Sequence, residues 1–436
     1  MYKKLSAPVS IQWELTSWCN QKCMHCYNYW RDKDITINYL DKEQQKVVVR
    51  EILQNKIFDV CLTGGEPLVV LEYYYDSLMI LVNSGVSLGL NTNASMLNSD
   101  HIRILKDLGI NGLLISLVSS DRFVHDKITG IDGSFERVIN GISFAKENGL
   151  GISISMVGSK LNKETVLETA ELSCKLGAKS FCVTRPSWPL WQKDFTKYSL
   201  SHEEILEMFD KAILAHEKFG LRIDTLVPCP TCGFKTDKQR EYFGNRGCGS
   251  GKSSIIIGSN GDIRPCPQSE ESFGSIFDGL KKAWDKMKKY RDDSLIPYYC
   301  KKKCQAFPYA CHGGCRANSK NVCGSADSED PMCTKIISTN MVKKLFESNG
   351  SNEFLISKFI RYRKEKFGYI AYLQNSAWLP IENSLYELLI TSTKIDIGSI
   401  KNKLGTTYIE ADRLLGILKD RRFIFDVKEA TYERNY

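Results

Sequence analysis

Long apolar runs are missing from this sequence. No stretch reaches the length of about eighteen apolar residues that a membrane-crossing helix needs, so membrane association by a spanning segment is not expected. The opening stretch MYKKLSAPVS has no apolar core of the kind that directs secretion, and the expected location is cytoplasmic. Cysteine is absent after Cys333, which leaves the C-terminal stretch without thiolate ligands and marks it as a separate module.

What is present is cysteine everywhere else. The chain of 436 residues has sixteen, too many for a reducing compartment to hold as disulfides, and metal ligation accounts for them better. A net charge of +8 raises the question of nucleic acid, but the lysines are spread along helical patterns. One dense run, Lys281 to Lys303, reads as a solvated face or a surface for an acidic partner; nucleic acid and membrane are not expected partners.

The most informative stretch is Cys19-Asn20-Gln21-Lys22-Cys23-Met24-His25-Cys26. Three cysteines spaced CxxxCxxC on a tight loop can each hold one iron of a 4Fe-4S cube and leave the last iron without a protein ligand; a zinc or structural thiol site is the alternative. The alternating run Ile11 to Leu15 precedes the loop as a strand. A second strand, Phe58 to Leu62, runs into Thr63-Gly64-Gly65-Glu66-Pro67. This combination resembles the radical S-adenosylmethionine (SAM) superfamily. The resemblance implies that SAM's methionine chelates the open iron and that Gly64, Gly65, Glu66 and Pro67 meet its amino group. Glycines allow close backbone approach, and Glu66 is a natural acceptor for an ammonium.

From residue 10 to about 225, strands alternate with helical patterns: Val86 to Thr92, Gly112 to Val118, Gly151 to Val157 and Ser180 to Thr184 follow the first two strands, with helices such as Leu71 to Asn83, Phe135 to Asn148 and Lys163 to Leu176 between them. Parallel strands with right-handed crossovers give an α/β fold, a partial (β/α)6 TIM-like barrel with its functional loops on one rim. By resemblance, Thr92, Asn93 and Ser116 lie near SAM, with Met156 and Arg185 on later strands as further contacts. The phrase from His125 to Ile142 is close to the family's wording, whereas Val118 stands where the family often has an acidic residue.

After Asp224 the pattern changes to turns and cysteines. Asn260-Gly261 signals a hairpin between Cys248 and Cys266. The order Cys248, Gly261, Cys266, then Cys300-x3-Cys304-x6-Cys311-x3-Cys315 and Cys333 resembles the SPASM extension, with one extra residue in each of two gaps. That resemblance implies two auxiliary 4Fe-4S clusters, the first on Cys248, Cys266 and Cys315, the second on Cys300, Cys304, Cys311 and Cys333. The first then takes Cys229 or Cys232 as a fourth ligand, or keeps a vacancy for substrate. Paired zinc-ribbon sites are the alternative. Cys61, Cys174 and Cys182 read as core, and Cys323 has no assigned place.

Beyond Lys335, a hairpin (Phe367 to Leu373, Gln374-Asn375-Ser376, Ala377 to Ile381) precedes helices Glu382 to Thr391, Ile397 to Leu404 and Tyr408 to Asp420 and a strand Phe423 to Val427. This order suggests a small α+β winged helix-turn-helix. It resembles the peptide-recognition element of ribosomal-peptide modifying systems, which captures a leader peptide at a sheet edge; a dimerisation or packing module is the alternative. The expected domains are 1–225, a radical SAM barrel; 226–340, a SPASM domain; and 341–436, the recognition-like module. The resemblance implies a maturase that reductively cleaves SAM and uses a 5′-deoxyadenosyl radical to cross-link a ribosomal precursor peptide through a thioether or carbon–carbon bond. An external one-electron donor of flavodoxin or ferredoxin type is implied. A sulfatase-maturating oxidase, a small-molecule radical dehydrogenase and a DNA-binding iron–sulfur sensor are the other readings.

Overall fold

The computed structural model describes residues 4–32, 38–187, 189, 191–244, 246–307, 311–335, 353–373 and 377–426. The chain divides into two compact units, Ala7–Ile337 and the combination of Met1–Ser6 with Ser338–Tyr436.

The larger unit is a sheet wrapped by helices. Its strands are β1 (Ser10–Thr16), β2 (Asp59–Gly64), β3 (Ser87–Thr92), β4 (Gly112–Ser116), β5 (Gly151–Val157), β6 (Ser180–Thr184), β7 (Arg222–Asp224), β8 (Ser254–Ile257) and β9 (Ile263–Arg264). Among the described residues they form one sheet in the order β7-β6-β5-β4-β3-β2-β1-β8-β9. β1 to β7 are parallel and consecutive, with helices α1 (Lys42–Gln54), α2 (Leu71–Asn83), α3 (Ser99–Asp107), α4 (Arg122–Thr129), α5 (Ser134–Glu147), α6 (Val166–Lys175) and α7 (His202–Phe219) in the crossovers. This is the expected barrel of βα units, extended by a short seventh strand.

Local chemistry explains the helix ends. Asp41 and Gln44 form a capping box on α1, and Ser201 and Glu204 form one on α7, so orphan amides at both N-termini are satisfied from within the sequence. Apolar residues on one face of each strand meet the helices. Trp13 is fully buried and packs edge-on against Tyr74 at 5.4 Å, while the Tyr74 hydroxyl donates to the Leu15 carbonyl at 2.9 Å. Alternation then directs Asn91, Ser116 and Ser155 to the opposite face, the one lining the barrel interior.

The cysteine-rich stretch continues the same sheet. β8 pairs parallel with β1 and antiparallel with β9, as the Asn260-Gly261 turn implies. Short helices α8 (Asp237–Phe243), α9 (Leu280–Lys286), α10 (Tyr298–Lys303) and α11 (Arg316–Cys323) carry the rest. Glu14 on β1 and Arg264 on β9 form a buried ion pair across β8.

The smaller unit has β10 (Phe354–Ile356), β11 (Arg361–Glu365), β12 (Gly368–Leu373), β13 (Ala377–Ile381), α12 (Asn383–Thr391), β14 (Lys394–Ile395), α13 (Ile397–Leu404), α14 (Tyr408–Asp420) and β15 (Ile424–Asp426). Two antiparallel sheets form, ordered β14-β10-β15 and β11-β12-β13. Leu385, Leu388, Leu389, Ile400, Ala411, Leu415 and Leu418 from the helices share one core with Phe354, Ile381 and Ile424. Tyr386 of α12 stacks on Tyr369 of β12 at 3.6 Å. The expected turn at Gln374-Asn375-Ser376, the strand end at Val427 and the module boundary at 340/341 lie outside the described residues. No helix among the described residues is long and apolar enough to cross a membrane.

Candidate active site

The loop after β1 carries Cys19, Cys23 and Cys26, and the structure pins it from four sides. The Lys22 and Met24 amides donate to the carbonyls of Thr129 (2.8 Å) and Ile128 (3.0 Å) at the end of α4. Gly130 follows in a left-handed conformation, where a Cβ would stand 3.1 Å from the Lys22 carbonyl oxygen. Asp126 accepts from the amides of Gly133 and Phe135, both at 2.7 Å, and so joins α4 to α5. The stretch His125 to Ile142 therefore serves as a buttress for the thiolate loop.

From the other sides, the Asn28 amide donates to the Gly64 carbonyl at 3.0 Å and the Asn93 amide donates to Asn20 Oδ1 at 2.8 Å. Gln21 Nε2 donates to Ser134 Oγ at 2.8 Å, Trp191 Nε1 donates to the Cys26 carbonyl at 2.9 Å, and the Arg31 guanidinium donates to the Gln21 carbonyl. Asn20, Asn28, Arg31 and Trp191 were invisible as site residues in the sequence, because no spacing rule links them to the cysteines.

Gly64 and Gly65 are required by crowding. A Cβ on Gly65 would lie 1.8 Å from the Trp18 carbonyl oxygen, and one on Gly64, where φ is +122°, would lie 2.5 Å from the Thr16 carbonyl oxygen. The Gly65 and Glu66 amides donate to the carbonyls of Thr16 and Trp18 at 2.7 and 2.8 Å, stitching the two loops together. Pro67 opens a short 3-10 turn behind them.

The Glu66 carboxylate is buried and turned into the fold. Oε1 accepts from Thr92 Oγ1 at 2.6 Å and the Leu68 amide at 3.1 Å, and Oε2 accepts from the Asn93 amide at 2.8 Å. Burial pushes its pKa up to about 7, against these three hydrogen bonds. Thr92 and Asn93 thus serve Glu66. Ser116 ends β4 on the interior face beside Ser155, whereas Met156 is buried on the opposite face, against the helices. Arg185 is engaged elsewhere: Nη1 and Nη2 donate to the Asp330 carboxylate at 2.8 and 2.6 Å, both groups being buried.

Burial, with the nearby Glu66 carboxylate, pushes Cys19 up to about 12; burial also raises Cys23 and Cys26. Thiolates so disfavoured in the bare protein need a positive partner, which an iron cluster supplies, and the residues fit such a group. Among the described residues no group of three or more His, Cys, Asp or Glu side chains is close enough to hold a single metal ion. A cube that takes one thiolate per iron calls for a wider stance than one ion does. His25, half-buried, and His125, buried, lie near each other in this region, each lowered to about 4, chiefly by desolvation.

Two further groups of cysteines form in the second half of the larger unit. Cys248, Cys266 and Cys315 line a cavity of about 570 Å³ together with Lys252, Tyr290 and Arg316. Cys229 is buried close enough to Cys315 to feel its charge. Cys232 belongs with the other group, lining a second cavity with Cys300, Cys304, Cys311 and Cys333. Asp330 stands between the groups. Its Oδ2 accepts from the Cys315 amide at 2.7 Å, and its carbonyl accepts from the Cys333 amide at 2.7 Å. Cys61 and Cys174 sit within strand and helix, Cys182 is buried, and Cys323 is exposed at the end of α11.

Residues 13–173 match the Radical SAM superfamily. An AdoMet-dependent heme synthase of Methanosarcina barkeri is 26% identical over 353 residues, covering 76% of this chain and 98% of its own length. The antilisterial bacteriocin subtilosin biosynthesis protein AlbA of Bacillus subtilis is 25% identical over 348 residues, covering 74% of this chain and 72% of its own. Among solved structures, Streptococcus suis SuiB bound to precursor peptide SuiA superimposes with a TM-score of 0.60 at 19% identity, over 76% of this chain and 77% of that one. With the thiolate loop, the Gly64-Gly65 crossing and the parallel barrel in one place, residues 13–173 form a radical SAM domain.

Proposed function

We propose that this protein is a radical SAM maturase of a ribosomally made precursor peptide, forming an intramolecular thioether or carbon–carbon cross-link. The observation that carries it is the smaller unit. The radical SAM domain and the cysteine groups suit many substrates, but a three-stranded sheet, β11-β12-β13, followed by α12, α13 and α14 around one core is the layout expected of a leader-peptide receptor. β11 and β13 are the outer strands of this sheet among the described residues, and an extended peptide gains affinity by joining a sheet edge. The relatives that act on peptides support this reading. The heme synthase similarity, which covers 76% of this chain, supports the alternative of a small-molecule radical enzyme.

The division 1–225, 226–340 and 341–436 belongs to the proposal, as do the site roles. Cys19, Cys23 and Cys26 hold the cluster that binds SAM; Cys248, Cys266 and Cys315, with Cys229 or Cys232 or a vacancy, hold one auxiliary cluster, and Cys300, Cys304, Cys311 and Cys333 hold the other. When bound, the cluster and SAM supply a 5′-deoxyadenosyl radical that takes hydrogen from a substrate carbon. The chain's part is placement. Gly64 and Gly65 bring backbone against the thiolate loop, and Glu66 fixes Thr92 and Asn93 at the neighbouring rim. Ser116, open to the interior face, is a SAM contact in this proposal, as are Met156, which is buried, and Arg185, which is paired with Asp330. The electron donor is a flavodoxin or ferredoxin type protein, the setting is cytoplasmic, and nucleic acid has no part in the reaction.

The test is anaerobic turnover. Reconstituted protein given SAM, dithionite and a candidate precursor peptide, sought as a short reading frame beside its gene, is expected to release 5′-deoxyadenosine and return a peptide lighter by two hydrogens. Peptide unchanged in mass despite SAM cleavage overturns the peptide reading. Turnover that survives alanine at Cys19, Cys23 and Cys26 overturns the radical SAM assignment of this loop.

A further inference from the structure

Positive charge is concentrated in one place on the larger unit. Between residues 281 and 303, nine lysines and arginines stand against three aspartates, so +6 of the chain's net +8 falls within this stretch. Lys281 pairs with Asp285 at 3.1 Å and Lys289 with Glu271 at 2.5 Å. Lys301 Nζ donates to the Asp293 carbonyl at 3.2 Å, which ties α10 to the loop after α9. Lys282, Lys286, Lys288, Lys302 and Lys303 are exposed, and none forms an ion pair among the described residues. Tyr298, 70% exposed, stands on α10 with the last two of these.

The same stretch walls both cysteine cavities. Lys289, Asp293 and Ile296 line the cavity of Cys248, Cys266 and Cys315, while Tyr299, Cys300 and Cys304 line that of Cys232, Cys311 and Cys333. Lys301, Lys302 and Lys303 fill the interval between two cysteines of the second group. Unpaired ammonium groups on one face repel one another and steer acidic partners toward it. We propose that the face of residues 281–303 docks an acidic one-electron carrier protein of flavodoxin or ferredoxin type. Anionic lipid or nucleic acid would meet the same charge, but only a carrier has to come close to the cysteine groups, because electron transfer weakens steeply with distance. An exposed aromatic ring amid the charges suits a protein partner. The inference rests on the reading that these cysteines hold iron–sulfur clusters, and it gives the electron donor of that reading its place on the chain.

The test uses the reconstituted full chain and a purified bacterial flavodoxin. Lys288→Glu, Lys302→Glu and Lys303→Glu are combined in one variant; Lys106→Glu, Lys179→Glu and Lys218→Glu, at exposed positions elsewhere on the larger unit, are combined in a control of equal net charge. In a calorimetric titration at low salt, flavodoxin is expected to bind parent and control alike and the first variant about 10-fold or more weakly, with binding to the parent weakening as salt is raised. With flavodoxin as the reductant for SAM cleavage, its KM rises by a similar factor in the first variant, while kcat and dithionite-driven cleavage stay at the parent's level. A control weakened as much as the first variant would overturn the docking face, as would equal losses with flavodoxin and with dithionite. Flavodoxin binding unchanged in the first variant would overturn it too, and a simultaneous loss of binding to DNA, anionic vesicles or the candidate precursor peptide would give the face to that partner instead. A parent that binds flavodoxin in this salt-dependent way but cleaves no SAM with dithionite would overturn the proposed function and leave the docking face standing.

Discussion

The thiolate loop and the cysteine-rich half of the larger unit are built in different ways. The loop is local: Cys19 to Cys26 lie within one turn of chain, and carbonyls at the end of α4, the Gly65 and Glu66 amides after β2 and the Asn93 side chain after β3 close around it. The auxiliary cysteines come from segments far apart in sequence. They are brought to order around one buried ion pair, Arg185 with Asp330, whose carboxylate also receives the Cys315 and Met332 amides. Crowding therefore governs the first region and a charge pair the second. Substitutions that probe volume will hurt the loop most, and those that probe charge will hurt the cysteine-rich half.

The largest effect is expected at Gly65. Alanine there drives a methyl group into the Trp18 carbonyl and shifts the loop by a sizeable fraction of an ångström or more. SAM cleavage should fall by about 100-fold or more, as misplacements of this size do, while the auxiliary clusters keep their spectra. Loss of the auxiliary spectra in this variant would erase the distinction between the regions.

Next in size is Asp330→Ala, which strands a buried guanidinium. A loss of about 3–5 kcal/mol is expected by denaturant unfolding of the loaded protein, and the double variant Arg185→Met with Asp330→Leu should recover much of it. Equal losses in the single and double variants would show that the carboxylate's bonds to the Cys315 and Met332 amides matter more than the ion pair.

A smaller effect is expected from pH at Glu66. Its pKa is raised by burial from about 4.5 unfolded to about 7 folded, so the folded protein binds the proton more readily. The stability this group contributes is fully present below about 4.5 and is lost as pH rises through 7, by about 3 kcal/mol at most. Glu66→Gln should remove this slope, read as the difference between the two proteins' unfolding free energies across that range. A slope that persists in the variant would assign the titration to another group.

The smallest effect is expected at Cys323, exposed at the end of α11 within the cysteine-rich half. Serine there should change stability by no more than about 0.5 kcal/mol and leave iron content as it was. Loss of a cluster would give the region a ligand that its cavities do not show.

Legibility in the sequence followed the same divide. Strands β5 and β6 and helix α2 match their expected bounds because apolar alternation and helical spacing are local signals. CxxxCxxC and the Gly64-Gly65 pair are local too. Arg185 shows what the sequence does not carry. Its place on a later barrel strand is local, but its guanidinium lies on Asp330, 145 positions away. No periodicity carries such a pairing. Met156 shows a lesser form of the same difficulty: its strand was legible, but which face it presents became evident only once Ser116 and Ser155 were seen paired. The grouping of Cys232 with Cys333 instead of Cys248 is likewise a matter of long-range packing.

The side-by-side arrangement of β1, β8 and β9 has a consequence for electron movement. β1 leads within three residues to Cys19 and β9 within two to Cys266, and the Glu14–Arg264 pair spans the strand between them. Because β9 runs antiparallel to β1, the two cysteines leave one hydrogen-bonded sheet at opposite ends, and the length of the strands between sets how far apart the two stretches of chain begin. Under the proposed cluster roles, the separation of the two cofactors would follow from strand length.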